Sequence, residues 1–174
     1  MKSTLTLYRI LSYILLFIAI ISSFNVLAAL LVALANPSLL LQVFLSAAIV
    51  LYSFSSFVFL KKCVEAKRNQ KNGLKDFIKA NAYITAFLAI LMTIAGAAAI
   101  LSPNLLKKAS EMMPTMPGSN EISKSDLPTL LKRLVWFMLI YGLILLIHIQ
   151  ITFRLLKQYA HLFGQKADDN NSSF

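Results

Sequence analysis

Residues 10–60 read ILSYILLFIAIISSFNVLAALLVALANPSLLLQVFLSAAIVLYSFSSFVFL, a run without one Asp, Glu, Lys or Arg. An α-helix needs about 20 predominantly apolar residues to cross roughly 30 Å of hydrocarbon, so this stretch is long enough for two crossings. Asn36-Pro37-Ser38 in its middle is the turn, with Asn36 as N-cap and Pro37 in the first helical position of the second helix. Two further stretches, residues 80–106 and 134–153, equally lack these charged residues, and each suffices for one crossing. The fold class is therefore all-α, a polytopic integral membrane protein built as a four-transmembrane-helix bundle. Its spans are expected at about 10–35, 38–60, 80–102 and 134–153.

With 174 residues, 58% of them hydrophobic, four spans use most of the chain. Residues 1–163 read as a single transmembrane domain, 104–126 as an outer loop and 164–174 as a disordered cytoplasmic tail. The first helix is expected from near Thr6 to Ala35. The second continues past Leu60 through Lys61 to Arg68, because KKCVEAKRNQ is rich in helix formers until Asn72-Gly73 stops it. The third starts near Leu74 and is kinked or ended by Pro103. Asp126 caps the fourth, with Pro128 in its first turn, and an amphipathic extension runs to about Phe163. Lys2 and Arg9 precede an apolar run far longer than a signal-peptide core, so a retained first span is expected.

Orientation follows from the basic residues. Residues at or before Arg9, between Lys61 and Lys79, and after Phe153 hold twelve Lys and Arg, whereas the opposite side holds five. The positive-inside bias then places both termini in the cytoplasm, and a bacterial cytoplasmic membrane is the expected location. The net charge of +10 does not imply nucleic acid, because the basic residues flank apolar runs, where they meet phospholipid headgroups. Trp136, Tyr141, Tyr8, Tyr13 and Tyr83 read as interfacial anchors.

An internal repeat is suggested by a shift of 70 residues, which brings Arg9, Tyr13-Ile14, Phe17 and Ala19-Ile20 onto Lys79, Tyr83-Ile84, Phe87 and Ala89-Ile90. Phe57, Leu60 and Lys61 similarly echo Phe153, Leu156 and Lys157. Two readings stay open: two parallel-repeat helical hairpins, or chance similarity in Leu/Ile/Ala-rich sequence.

Among the candidate sites, His148 stands first, since ionisable groups inside a membrane are costly and mark ion paths or relays. It lies six residues before Arg154, about 9 Å along a helix, with the polar Gln150 nearby. A proton-handling or ligand-binding role competes with a hydrogen bond to a neighbouring helix, and one His specifies a site too weakly to displace the structural reading. Ala82, Ala86, Ala89, Thr93 and Gly96 are spaced to form one small-residue seam, expected to be the helix-packing centre, which Ser46, Ser53 and Ser56 could meet. Those serines, with Asn25, Gln42, Thr85 and Thr93, are expected to bond across helices. Met112, Met113 and Met116 are soft ligands for Cu(I), but without His or Cys partners they read as an apolar contact. Cys63 is the lone cysteine, a boundary thiol open to acylation or silent.

No span holds a carboxylate pair, a metal-binding cluster or a nucleophile with its base, so neither catalytic residues nor a metal nor a cofactor is implied. The outline resembles that of tetraspan proteins without the cysteine motif of the tetraspanins, so the resemblance stops at topology. The sequence points to a small non-enzymatic integral membrane protein, an accessory or assembly partner acting through helix–helix contacts. Its partners would be the lipid bilayer and a membrane protein or further copies of itself. The alternative is a small-solute transporter or channel subunit functioning as an oligomer.

Overall fold

The computed structural model describes residues 2–102, 104, 108 and 127–164. Four long helices carry the described chain: α1 (Lys2–Ala35), α2 (Leu40–Phe59), α3 (Asn72–Leu101) and α4 (Leu127–Gln158). With their flanking turns they provide four apolar stretches of 29 to 33 residues, each long enough to cross a membrane. No strand is present among the described residues. The protein is an all-α membrane protein of four spans.

The turn between α1 and α2 forms as its residues dictate. Asn36 leaves the helical region (φ −133°, ψ 91°), and its side chain accepts from the backbone N–H of Ser38 at 3.3 Å and from the Ser38 hydroxyl at 2.7 Å. Pro37 then opens a 3-10 turn, Pro37–Leu39, whose missing N–H would have had no helical partner.

The other end of α2 departs from the expected course. The helical course continues past Leu60, as expected, but ends at Glu65 and not at Arg68. It widens into a π-helical turn, Leu60–Glu65, closed by Ala66 N–H to Lys61 O at 3.2 Å and Arg68 N–H to Lys62 O at 2.9 Å. Lys67 takes the left-handed conformation (φ 48°) that commonly stops a helix at its C-terminus. Asn72, expected as a terminator, is the first residue of α3. Helix four likewise ends early, at Gln158, and Ala160–Leu162 form a 3-10 turn. The chain beyond it pairs with the α2–α3 connection: Gln70 N–H donates to Leu162 O (2.8 Å), and Gly164 N–H donates to Gln70 O (3.2 Å). Backbone groups at 70, 162 and 164 thereby satisfy each other. The expected cap at Asp126, the kink at Pro103, most of the outer loop and residues 165–174 lie outside the described residues.

The described chain packs as two compact units, divided within α3 after Phe87 and within α4 before Ile147. The first holds α1, α2, the start of α3 and the end of α4. Its core is formed by Tyr8, Leu15, Tyr52, Phe59, Ile78 and Leu156, all nearly or wholly shielded. In the second, the later part of α3 meets the earlier part of α4 at glycines. A Cβ on Gly96 would stand 3.1 Å from Cβ of Leu139, and one on Gly142 would stand 2.6 Å from Oγ1 of Thr93 and 3.0 Å from the carbonyl of Ala89.

Burial repeats along the chain with the 70-residue shift. Buried Tyr8, Leu11, Ser12, Leu15 and Ala19 correspond to buried Ile78, Asn81, Ala82, Thr85 and Ala89, while exposed Tyr13, Phe17 and Ile20 correspond to exposed Tyr83, Phe87 and Ile90. A shift of 96 relates α2 to α4 in the same way, taking buried Tyr52, Ser56, Phe59 and Leu60 to His148, Thr152, Leu155 and Leu156. Contacts repeat as well: Tyr13 meets Phe57 with ring centroids 5.3 Å apart, and their counterparts Tyr83 and Phe153 meet at 5.4 Å. Tyr52 and His148, counterparts under the shift of 96, touch each other.

Candidate functional site

The first unit contains one polar centre, built from pairs of residues four apart, which a helix places one above the other on the same face. Each helix contributes a buried pair: Tyr8 and Ser12 from α1, Tyr52 and Ser56 from α2, Asn81 and Thr85 from α3, His148 and Thr152 from α4. In an apolar core these groups need partners at once, because an unpaired donor or acceptor costs its full desolvation.

Three of the pairs converge on His148, which is 1% exposed. Ser12 Oγ lies 2.9 Å from its Nε2, and Tyr52 Oη lies 2.8 Å from its Nδ1. Tyr52 Oη is also 2.9 Å from Thr152 Oγ1, which in turn donates to the backbone carbonyl of His148 at 2.8 Å. That last bond settles the direction of the others. A carbonyl only accepts, so the single hydroxyl proton of Thr152 is spent there, and Tyr52 must donate to Thr152. Tyr52 then has only lone pairs left for the ring, so Nδ1 carries the proton, Nε2 accepts, and Ser12 donates to it. The neutral imidazole thus has one tautomer in a circuit that leaves His148 at its side chain and returns to its own backbone.

Tyr8 covers the imidazole, stacked at 4.8 Å between centroids and 12° between planes, and its hydroxyl is 2.9 Å from Ser56 Oγ. On α3, Thr85 donates to the carbonyl of Ala48 on α2 at 3.3 Å, whereas Asn81 bonds back to Phe77 O at 2.9 Å. No buried side-chain nitrogen or oxygen among the described residues lacks a hydrogen-bond partner. Nor do three His, Cys, Asp or Glu side chains come together among them.

Gln150, paired with His148 in the sequence reading, is exposed on another face of α4 and takes no part. Ser12, Tyr8, Tyr52 and Thr152 are the members sequence reasoning missed, and the signal that could have found them is the polar pair at i and i+4 repeated on every helix. Tyr8 and Tyr141 are not interfacial anchors, since both are buried, whereas Tyr13, Tyr83 and Trp136 are exposed. Of the small polar residues expected to bond across helices, Asn25, Ser46, Ser53 and Thr93 instead bond to the carbonyl four residues back in their own helix. That local acceptor is always within reach and needs no neighbour. Ser56 and Thr85 do cross between helices.

In the small-residue seam, Ala82, Ala89 and Gly96 are buried, while Ala86 and Thr93 are half-buried. Ala89, Thr93 and Gly96 lie at the close approach to α4, where Gly142 and Leu139 face them. The hydroxyls of Ser53 and Ser56 bond to the carbonyl of Ile49 and to Tyr8. Cys63 is fully enclosed, which removes it from acylating chemistry. Met112, Met113 and Met116 lie outside the described residues. No protein-family model matches the chain, and no curated protein sequence or solved structure matches it either.

Proposed function

We propose that the protein is a non-enzymatic component of the cell membrane, an accessory or assembly partner that works through its helix faces, with both termini on the cytoplasmic side of a bacterial cytoplasmic membrane. The observation that carries this reading is the closed circuit at His148. The hydroxyl protons of Ser12, Tyr52 and Thr152 and the N–H of the ring are all donated within the set, so none of these donors is left for a solute. The centre serves instead to hold three helices in one register, which is the role polar side chains commonly take within a bundle. Surface for a partner remains on α1. Only 11% of its most apolar stretch is buried, against 50% for α2, and Phe17, Phe24, Leu31 and Leu34 are widely exposed.

The test is purification in mild detergent from the native host. A larger membrane protein recovered in fixed stoichiometry is the expected result. A homo-oligomer that carries solute or current in reconstituted vesicles, with a pH dependence abolished by His148→Gln, would overturn the reading in favour of a transporter or channel subunit.

A further inference from the structure

We propose that the basic end of the first unit is a binding surface for the phosphate headgroups of anionic phospholipids, centred on Lys67, Arg68 and Lys71. It rests on the membrane reading alone, not on the accessory role, and holds for either orientation of the chain.

The level of this surface relative to lipid is marked by Lys61. Its ammonium group lies 5.2 Å from the ring centroid of the exposed Tyr13 and 5.7 Å from that of Phe57. Aromatic rings and basic side chains gathered at a helix end belong to the boundary between hydrocarbon and water. Residues 66–71 follow the next turn of chain, and α3 enters at Asn72. So short a connection cannot carry its side chains far from that boundary, and they lie at the depth of the headgroups.

Within the connection, Lys67, Arg68 and Lys71 are all exposed. Their charge is not cancelled by the adjacent acid, because Glu65 is held by Arg9 and Lys61, each at 2.9 Å. Asp76 is the other carboxylate between residues 61 and 79. Three cations within five residues therefore face a layer of phosphates, where each Lys or Arg strengthens attraction to an anionic surface.

The backbone that bears them is already shaped. Lys67 is fixed in the left-handed region, Gln70 is bonded on both its N–H and its carbonyl to the segment after α4, and Leu74 N–H closes on Lys71 O at 3.1 Å. Ordering a loop on binding costs affinity, and this one is ordered before lipid arrives. The same segment brings Phe163 under Lys75, whose ammonium lies 6.0 Å from the ring centroid, so the pairing of Gln70 with that segment and the basic surface share one end of the unit.

Nanodiscs of phosphatidylcholine alone and of phosphatidylcholine mixed with phosphatidylglycerol provide the test, with thermal melting of the full chain as readout. The parent should melt higher in the mixed disc, and the gain should shrink as sodium chloride is raised. K67Q/R68Q/K71Q should lose most of that gain, whereas K132Q/R133Q on α4 should keep it. Should the triple variant melt lower in phosphatidylcholine as well, the ratio of the two lipids retained after detergent extraction gives the same comparison by mass spectrometry. Equal melting of the parent in both discs would overturn the proposal, as would a triple variant that keeps its preference or a K132Q/R133Q variant that loses it. Inorganic phosphate that reproduced the gain in detergent would overturn it too, by identifying a site for a free anion and not a lipid surface.

Discussion

Tyr52 is the residue through which the polar centre is directional. Its hydroxyl receives from Nδ1 of His148 and gives to Thr152, so the ring tautomer is imposed from outside the ring. Imidazole nitrogen chemical shifts should therefore report a protonated Nδ1 and a pyridine-like Nε2. In Tyr52→Phe the acceptor is gone, and the cheaper arrangement is to move the proton to Nε2, where Ser12 can turn and accept it. The two nitrogen signals should exchange character, with a stability loss of about 1 kcal/mol, within the range found for hydrogen bonds between membrane helices. A spectrum unchanged by the substitution would contradict the circuit. Nothing in the local sequence around His148 announces its partners, because Ser12 and Tyr52 are 136 and 96 residues distant along the chain.

Between elements, the contact of α3 with α4 depends on a glycine whose importance is invisible in composition. Thr93 Oγ1 is tied to the Ala89 carbonyl at 2.7 Å, so it cannot swing away from a methyl group placed on Gly142. Gly142→Ala should cost about 1–3 kcal/mol, the usual range for an overpacked contact, and more than Gly96→Ala, whose neighbour Leu139 needs to give by only a few tenths of an ångström. Adding Thr93→Ala to Gly142→Ala should restore part of the loss in detergent melting curves; no restoration would mean that the hydroxyl is not the obstacle. At the other end, Phe163 stacks on Phe59 with centroids 6.1 Å apart and is 8% exposed. Phe163→Ala should release the segment after α4, and the amide of Gln70, which donates to Leu162, should exchange its hydrogen faster while amides in the middle of α2 keep their rates.

For the whole molecule, the distribution of Lys and Arg predicts which side each end occupies. In a Cys63→Ser background, an impermeant thiol reagent applied to intact cells should label Ser119→Cys and leave Ser172→Cys untouched; the reverse pattern would invert the topology. Four spans, their approximate limits and the Asn36-Pro37 turn were legible in the chain itself, because a bilayer imposes a minimum apolar length and local caps act within a few residues. The same locality explains the two helix ends that were misjudged. Good helix formers continue through KKCVEAKRNQ, yet the π-helical turn and the left-handed Lys67 close α2 early, and Gln70 is held by a partner far along the chain. The 70-residue pattern was visible as letters, and the structure adds a matching pair of ring contacts, Tyr13 with Phe57 and Tyr83 with Phe153. His148 was singled out from sequence by the cost of a titratable group in a membrane; that it is buried and hydrogen-bonded at both ring nitrogens was decided by tertiary structure alone. Burial and apolarity are properties a helix carries by itself, whereas a hydrogen bond between helices exists only once two faces have been brought to the same depth and turned toward each other.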